Sequence, residues 1–211
     1  MLCLATGDAL GTRLENLLPA AAAVELVHSF SLVHDDLPAL DDDSERRGAP
    51  SVWAQYGEAT AILAGDALLA EAMRLALSYP TGAVARELVA ATTAMIGGQQ
   101  LDLEGVAPLD RLHSLKTGAL FSASVMCALW AAEIPIAEHE PWRAFAGELG
   151  LLFQIVDDVL DGDGYVLEVG EESSLQLADE AAGRAQARLG EIDADTDVLG
   201  EIVDSLASRT A

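Results

Sequence analysis

Alanine and leucine dominate the apolar half of this 211-residue sequence, whereas aromatic residues make up only 5% of it. Alanine and leucine rank highest in helix propensity, and strands prefer β-branched and aromatic side chains. The length suits one domain that is large enough to bury a core. We therefore predict an all-α fold with a single domain spanning residues 1–211.

Apolar spacing and breaks at proline or glycine predict seven helices joined by short loops. We expect these helices at residues 20–36, 58–77, 83–103, 109–132, 142–160, 174–189 and 196–208. Pro19 lies near the start of the first helix, and Pro38 should end it because proline has no N–H. Residues 41–51 are polar and predict a loop. Short loops make neighbouring helices antiparallel, so the pattern predicts an antiparallel helical bundle.

The formal net charge of −24 restricts the partners of the chain. A surface this acidic repels nucleic acid and anionic membranes, so we predict neither as a partner. A polyanionic substrate would approach it only with cations between the charges. No run of about eighteen apolar residues occurs, which predicts no transmembrane segment. Cys3 and Cys127 lie in apolar stretches and are expected to be buried thiols of a cytoplasmic protein.

The segment FQIVDDVLDGDG, residues 153–164, places carboxylates on one face of an apolar helix. Asp157 and Asp158 precede Asp161 by four and three residues, and Gln154 precedes Asp157 by three, so all four share that face. Like charges at this spacing destabilise a helix. Carboxylate oxygens suit Mg²⁺, which binds one or two carboxylates together with waters and substrate phosphates.

A second acidic cluster lies earlier in the chain, in SLVHDDLPALDDDSERRG, residues 31–48. Ser31 and Asp35 fall on one helical stripe with His28, and Asp36 adjoins it, while Asp41 follows the break at Pro38. Either cluster alone would be explained by helix capping or by a solvated face. Two such clusters on apolar helices, about 120 residues apart, are much harder to explain in this way.

Four segments together resemble the trans-isoprenyl diphosphate synthases, in particular the bacterial farnesyl and geranylgeranyl diphosphate synthases. They are SLVHDDLPALDDDSERRGAPSVWAQYGEATAILAGDALL, GGQQLDL, KTGALF and FQIVDDVLD, in the order and spacing of that family. The resemblance implies a helical bundle around a deep central cavity, the isoprenoid synthase fold. It also implies a homodimer whose substrates are isopentenyl diphosphate and an allylic diphosphate.

The resemblance further implies three Mg²⁺ ions that grip the diphosphate of the allylic substrate. The positions that match the metal ligands of the family are Asp35, Asp36, Asp41, Asp157, Asp158 and Asp161. In such a reaction the metal ions act as Lewis acids that stabilise the leaving diphosphate. A water-poor apolar cavity protects the carbocation that is left behind.

Other positions match substrate contacts of the family. Those implied for substrate binding are His28, Arg46, Arg47, Gln99 and Lys116, with Asp102 on the same helical face as Gln99. Those implied for catalysis are Lys116, Thr117 and Gln154. Phe30 and Ser31, five and four residues before the first aspartate, match the positions that set product length. The simpler alternatives are a surface ion pair for the arginines, a core histidine for His28 and a core side chain for Phe30.

Two basic elements of the family are missing from this sequence. A Gly-Lys-Arg-x-Arg-Pro motif would lie just before Met1, so the resemblance predicts an N-terminally shortened bundle. After Asp161, the segment GDGYVLEVGEESS stands where the family has a lysine-bearing stretch. Because charge-assisted contacts are among the strong ones, we expect this form to bind an allylic diphosphate with Mg²⁺ yet to condense it poorly.

Three functions remain open on the sequence alone. The first is a short-chain prenyltransferase. The second is a catalytically impaired family member that acts as a regulatory or structural partner of a complete synthase. A class I terpene cyclase ranks last, because such enzymes carry an Asn/Ser/Glu metal motif where this chain has DDVLD.

Overall fold

The computed structural model describes residues 1–105 and 108–210, and α-helices make up most of it. The helices are α1 (Leu2–Ala9), α2 (Leu14–Asp35), α3 (Val52–Tyr56), α4 (Glu58–Ala76), α5 (Ala83–Glu104), α6 (Leu109–His113), α7 (Ala119–Ala131), α8 (His139–Asp161), α9 (Tyr165–Val169), α10 (Glu171–Leu189) and α11 (Asp197–Ala207). A π-helical turn (Ser114–Gly118) joins α6 to α7, and 3₁₀ turns occur at Ile136–Glu138 and Ser208–Thr210. A two-residue hairpin pairs β1 (Glu45–Arg46) with β2 (Ala49–Pro50). The predicted all-α fold is confirmed.

All seven predicted helices are present, and most of their ends lie within three residues of the prediction. The first one differs, because α2 begins at Leu14 and contains Pro19 in its interior rather than near its start. A proline inside a helix removes one backbone hydrogen bond and is costly unless other groups compensate. The sequence pattern therefore placed this boundary too late.

Tyr79, in the connection between α4 and α5, provides the compensation. Its hydroxyl accepts a hydrogen bond from the backbone N–H of Ala20 at 3.0 Å and donates one to the backbone oxygen of Asn16 at 2.6 Å. These are the two groups that a regular helix would join directly across Pro19. The tyrosine hydroxyl thus bridges the interrupted turn of α2 from more than fifty residues away in the chain.

Replacing Tyr79 by phenylalanine is expected to lower the free energy of unfolding by about 1–2 kcal/mol, because the partly buried N–H of Ala20 then loses its partner, whereas water can reach the exposed oxygen of Asn16. Denaturant unfolding followed by circular dichroism measures the change. Tyr56→Phe is the matched control, since Tyr56 is exposed, and its unfolding free energy should change by less than about 0.5 kcal/mol. Equal effects of the two variants would show that the bridge contributes nothing.

Helix α7 lies at the centre of the bundle and joins two apolar cores. Its residues 123–129 are all buried, as expected for a helix that is apolar on every side. Val125 and Leu129 pack into a core formed with α8, α10 and α11, whereas Cys127 packs into a second core formed with α1, α2, α4 and α5. Cys3 also belongs to the second core, so the prediction of two buried free thiols is confirmed.

Two helical segments in the described residues are long and apolar enough to cross a membrane by length and composition alone. They are Leu14–Asp35 and the continuous stretch Leu109–Ala131. Both segments contribute to the cores of the bundle, and core helices of water-soluble proteins satisfy the same criterion. The absence of a transmembrane segment stays a prediction.

Candidate active site

Three adjoining cavities form one cleft between the two acidic clusters. A cavity of about 270 Å³ lies between the end of α2 and α5, and its walls include Asp35 and Lys116. A second cavity of about 400 Å³ shares Asp35 and Lys116 with the first. A third, of about 360 Å³, shares Lys116 and Thr117 with the second and contains Asp157. Lys116, the single lysine of the chain, therefore lies on the wall of all three cavities.

Most of the predicted site residues line this cleft. Those on its walls are His28, Phe30, Ser31, Asp35, Gln99, Asp102, Lys116, Thr117, Gln154, Asp157, Asp158 and Asp161. The remaining predicted residues, Asp36, Asp41, Arg46 and Arg47, belong to the segment that follows α2. The fold thus brings both clusters to one opening of the bundle, although α2 and α8 are far apart in the chain.

The first cluster forms where α2 ends. Asp35 is the last residue of α2, and its backbone oxygen accepts a hydrogen bond from the N–H of Asp41 at 2.9 Å, which folds the following turn back onto the helix. Burial raises the pKa of the Asp35 carboxyl to about 6; the nearby Lys116 opposes this rise, and Asp41 adds to it. Asp35 and Asp41 are thus close enough to repel each other.

Asp36 is held by a different contact. Its side chain is 3% exposed, and its Oδ1 accepts a hydrogen bond from Nε of Arg46 at 2.6 Å and forms an ion pair with the terminal nitrogen Nη2 of Arg46 at 2.5 Å. Arg46 also approaches Asp43 at 3.5 Å. Its hydrogen bond to Asp36 raises the pKa of the Arg46 guanidinium above the ordinary value. Arg46 therefore forms an ion pair with Asp36, as in the simpler of the two explanations that the sequence allowed for the arginines.

The β1–β2 hairpin places the two arginines in different surroundings. Its turn consists of Arg47 and Gly48, with φ values of 54° and 78°, and two positive φ values in a two-residue loop are typical of a type I′ turn. Arg46 points to Asp36 from strand β1, whereas Arg47 is exposed at the tip of the turn. The pair that looked equivalent in the sequence is divided into one buried contact and one solvent-facing cation.

The second cluster occupies the last turns of α8. Asp158 is buried there, and both of its carboxylate oxygens are engaged. Oδ1 accepts from Nε2 of Gln154 at 2.8 Å, and Oδ2 accepts from the backbone N–H of Tyr165 at 2.9 Å. Nε2 of His113 lies 3.9 Å from the same Oδ2. Asp158 therefore ties the end of α8 to α9 and α6.

Gly164 makes this contact to Asp158 possible. Its φ of 44° is unfavourable for other residues, and a Cβ at this position would lie 2.0 Å from Oδ2 of Asp158. Asp157, by contrast, is half-buried and Asp161 is exposed. Burial raises the pKa of the Asp157 carboxyl, and the neighbouring Asp161 and Asp158 raise it further. The carboxylates of Asp157 and Asp161 therefore bring negative charge to the wall of the cleft.

Lys116 lies between the clusters, on the π-helical turn. Its Nζ forms an ion pair with Oδ2 of Asp102 at 2.5 Å. Gln99, one helical turn before Asp102, has a buried Oε1 without a hydrogen-bond partner among the described residues. His28 is half-buried, and burial lowers the pKa of its imidazole and so favours the neutral form. The centre of the cleft thus offers one cation and two neutral polar groups.

Apolar side chains close the smallest of the three cavities. Phe30 is 7% exposed and lines it together with Ser31 and Met95, below Asp35. The ring of Phe30 meets His34 edge-on at 5.7 Å. Phe30 precedes Asp35 by five residues and so lies on a different face of α2, yet both residues line the same cavity.

Two residues of the site escaped the sequence analysis. Tyr165 holds Asp158 through its backbone and Asp110 through its hydroxyl, which donates to Oδ1 of Asp110 at 2.6 Å. His113 packs against the ring of Tyr165 at 5.5 Å. The glycines around Asp163 were the available signal for this tight turn, but no spacing in the sequence links it to residues of α6.

Comparisons with known proteins agree with this geometry. The family model described as "Polyprenyl synthetase" matches residues 1–174. The farnesyl diphosphate synthase of Bacillus subtilis is 32% identical over 244 residues, covering 99% of this chain and 82% of that protein. The geranylgeranyl diphosphate synthase of Cyanophora paradoxa is 41% identical over 178 residues, covering 76% of this chain and 59% of that protein. The crystal structure of a geranyltransferase from Legionella pneumophila superposes with a TM-score of 0.91 at 32% identity, covering 99% of this chain and 81% of that one.

Proposed function

Because this chain belongs to the polyprenyl synthetase family, we propose that it is a Mg²⁺-dependent short-chain prenyltransferase that joins isopentenyl diphosphate to an allylic diphosphate. One observation carries the proposal: Asp35 of the first acidic cluster and Asp157 of the second line one cleft, and the only lysine of the chain lies on the wall of all three of its cavities. The names of the relatives from Bacillus subtilis and Cyanophora paradoxa support farnesyl or geranylgeranyl diphosphate as the product class.

The donor set of the cleft fits Mg²⁺. Its accessible acids supply hard oxygen ligands only. The raised pKa values of Asp35 and Asp157 reflect burial and, at each residue, repulsion by carboxylates of its own cluster, which a cation would offset. Within residues 1–105 and 108–210, no three His, Cys, Asp or Glu side chains are grouped closely enough to hold a metal by themselves. This suits Mg²⁺, which completes its shell with water and substrate phosphates.

We assign the metal-binding role to the accessible carboxylates Asp35, Asp41, Asp157 and Asp161. Asp36 and Asp158 were also expected to be ligands, but both carboxylate oxygens of Asp158 already accept hydrogen bonds within the protein. Asp36 is buried, and its Oδ1 accepts a hydrogen bond from Arg46. We propose that these two hold the clusters in place. Bound Mg²⁺, expected as three ions, would supply Lewis acidity to the leaving diphosphate.

Other side chains of the protein assist the remaining steps. The ammonium of Lys116 offsets charge on the diphosphate as the allylic C–O bond breaks. The double bond of isopentenyl diphosphate then forms the new C–C bond to the allylic carbon, and transfer of a proton from the resulting cation to the released diphosphate restores a double bond. Thr117 and Gln154 line the same cavity as Lys116 and provide polar contacts near the carbocation. Phe121 and Phe153 form an apolar part of the wall of the neighbouring cavity and exclude water there.

We also propose that the protein acts as a homodimer. Exposed apolar side chains cluster on α4 and α5, and a monomer would leave them in water. They are Ile62, Leu63, Val89, Ile96 and Leu103. A second copy of the chain is the partner that we expect on this surface. The lack of a nucleic-acid partner stays a prediction that follows from the net charge of −24, and a cytoplasmic location stays a prediction that follows from the two cysteines in apolar stretches.

One observation favours the second candidate, a catalytically impaired partner of a complete synthase. The turn after α8 carries Asp163, which lines the cavity of the second cluster in a segment without lysine. Burial raises the pKa of the Asp163 carboxyl, and the nearby Asp158 and Asp161 carboxylates raise it further. Asp163 is therefore a third acid beside these two, in the place where a diphosphate must bind. A weaker grip on the allylic substrate would follow.

Incorporation of radiolabelled isopentenyl diphosphate decides between the two candidates. The protein is incubated with Mg²⁺ and dimethylallyl, geranyl or farnesyl diphosphate, and the extracted products are separated by chain length. Product formation that stops in EDTA supports the prenyltransferase. Mg²⁺-dependent binding of a bisphosphonate without any product supports the impaired partner. If the protein neither binds the bisphosphonate nor forms a product, both candidates are overturned.

Replacing Phe30 by alanine is expected to lengthen the final product by at least one isoprene unit. The ring of Phe30 lines the cavity that also contains Asp35. Its removal would enlarge the space into which we propose that the isoprenoid product grows. Product analysis by chromatography measures the change, with Phe145→Leu as a control for core packing remote from the cleft. Unchanged product length in both Phe30→Ala and Ser31→Ala would place the stop elsewhere.

A further inference from the structure

The π-helical turn that carries Lys116 is packed between two helices through glycines. Single π-helical turns inside α-helices insert an extra residue and occur frequently at functional sites. Here the turn spans Ser114–Gly118, and it contacts α5 on one side and α8 on the other. The backbone position of the turn decides where the only lysine ammonium of the chain enters the cleft.

On the α5 side, the contact depends on Gly98. A Cβ at this position would lie 2.7 Å from the backbone nitrogen of Lys116 and 2.9 Å from its Cα. Contacts below 3.0 Å essentially never occur for real Cβ atoms, and here the opposing atoms belong to the main chain. A rotamer change therefore cannot relieve the overlap, and either α5 or the π-helical turn must move.

On the α8 side, the contact is between two glycines. A Cβ on Gly150 would lie 3.2 Å from the Cα of Gly118 and 3.4 Å from the Cβ of Phe121. That approach is tight but requires a shift of only a few tenths of an ångström. Gly97, adjacent to Gly98 in α5, shows no atom within 4 Å of an added Cβ. The three positions thus differ in the room for an added methyl group, which is absent at Gly98, small at Gly150 and ample at Gly97.

We propose that Gly98 is a positioning residue for Lys116. By allowing α5 to lie directly against the backbone of the π-helical turn, it places the ammonium where it pairs with Asp102 and faces both acidic clusters. Because Asp102 lies on α5 as well, one helix both fixes the backbone of Lys116 and holds its head group. The inference rests on the proposed function to the extent that Lys116 contacts the diphosphate.

The test compares Gly98→Ala, Gly150→Ala and Gly97→Ala. Alanine favours the helix at each position, so differences among the variants reflect the contacts of the added methyl group. Calorimetry of Mg²⁺–bisphosphonate binding is expected to show up to about 100-fold weaker affinity for Gly98→Ala, because a displaced ammonium loses a hydrogen bond between charged groups that contributes about this much to affinity. A smaller loss is expected for Gly150→Ala and no loss for Gly97→Ala.

A second readout reports on Lys116 alone. Protein labelled with ¹³C at the lysine Cε gives one lysine signal, since the chain has a single lysine. Without any ligand, that signal should move in Gly98→Ala and stay in place in Gly97→Ala, which a general loss of stability would not produce. Should Gly98→Ala fail to fold, an intermediate shift in Gly150→Ala supports the proposal, and an unmoved signal there contradicts it.

The failure of this inference is distinguishable from the failure of the proposed function. Lys116→Ala should weaken bisphosphonate binding at least as much as Gly98→Ala. Full affinity in Lys116→Ala would contradict the diphosphate contact on which the proposed function depends. Lost affinity in Lys116→Ala together with an unmoved lysine signal and full affinity in Gly98→Ala would overturn the positioning role alone.

Discussion

Replacing Asp157 by asparagine is expected to weaken Mg²⁺-dependent diphosphate binding by at least about 100-fold, which corresponds to roughly 3 kcal/mol. Asp157 is an accessible carboxylate whose pKa is raised by burial and by the Asp161 and Asp158 charges. A neutral side chain of the same shape removes one anionic oxygen ligand from the cation but leaves the packing of α8 intact. Calorimetry with a bisphosphonate, with and without Mg²⁺, measures the loss.

Asp158→Asn is the matched comparison, one residue further along the same helix. Because Asp158 is buried and accepts hydrogen bonds from Gln154 and from Tyr165, its replacement should lower the free energy of unfolding by about 1–3 kcal/mol. The Mg²⁺-dependent part of binding should persist. A larger loss of metal dependence in Asp158→Asn than in Asp157→Asn would show that the assignment of ligand and support is reversed. Tight binding of the wild type in EDTA would contradict the metal site altogether.

Replacing Arg46 by alanine is expected to destabilise the protein by about 3 kcal/mol, since it leaves the buried Asp36 carboxylate without its partner. This value lies at the lower end of the usual range because Arg46 is one-third exposed, so water partly reaches the gap. Denaturant unfolding measures the change. Arg47→Ala is the control, because Arg47 is exposed at the tip of the hairpin, and its unfolding free energy should change by less than about 0.5 kcal/mol.

A double variant shows whether the cost comes from the unpaired charge. Adding Asp36→Asn to Arg46→Ala removes that charge and should recover part of the lost stability. No recovery would mean that Arg46 stabilises the loop through other contacts. Equal destabilisation by Arg46→Ala and Arg47→Ala would show that the Asp36 contact has no special weight.

Local patterns were sufficient for the seven long helices and for the acidic face of α8, whereas α1, α3 and α9 were not predicted. The spacing of Asp157, Asp158 and Asp161 follows the geometry of any α-helix, so their common cavity was predictable without a partner element. The start of α2 was not predictable in this way. Proline is most common in the first turn of a helix, so Pro19 indicated a helix start. Its position inside α2 is made tolerable by the hydroxyl of Tyr79, which comes from another part of the chain.

Contacts between distant residues also decided the roles within each cluster. Nothing in DDVLD distinguishes Asp157 from Asp158, but the turn at Gly164 returns the chain so that Tyr165 covers one of them. Arg46 and Arg47 are likewise equivalent in sequence until the hairpin directs the first to Asp36. Burial of a charged group depends on what packs over it, and helical spacing carries no information about that.

By itself, the sequence determined the helical class, the two acidic faces and, through its motifs, the family of this protein. These properties depend on propensity, periodicity and residue identity, which are local. Only the tertiary structure decided which carboxylates remain free, why Phe30 shares a cavity with Asp35, and how two glycines seat the turn of Lys116. Each of these depends on how closely helices approach one another, and that distance is set by side chains far apart in the chain.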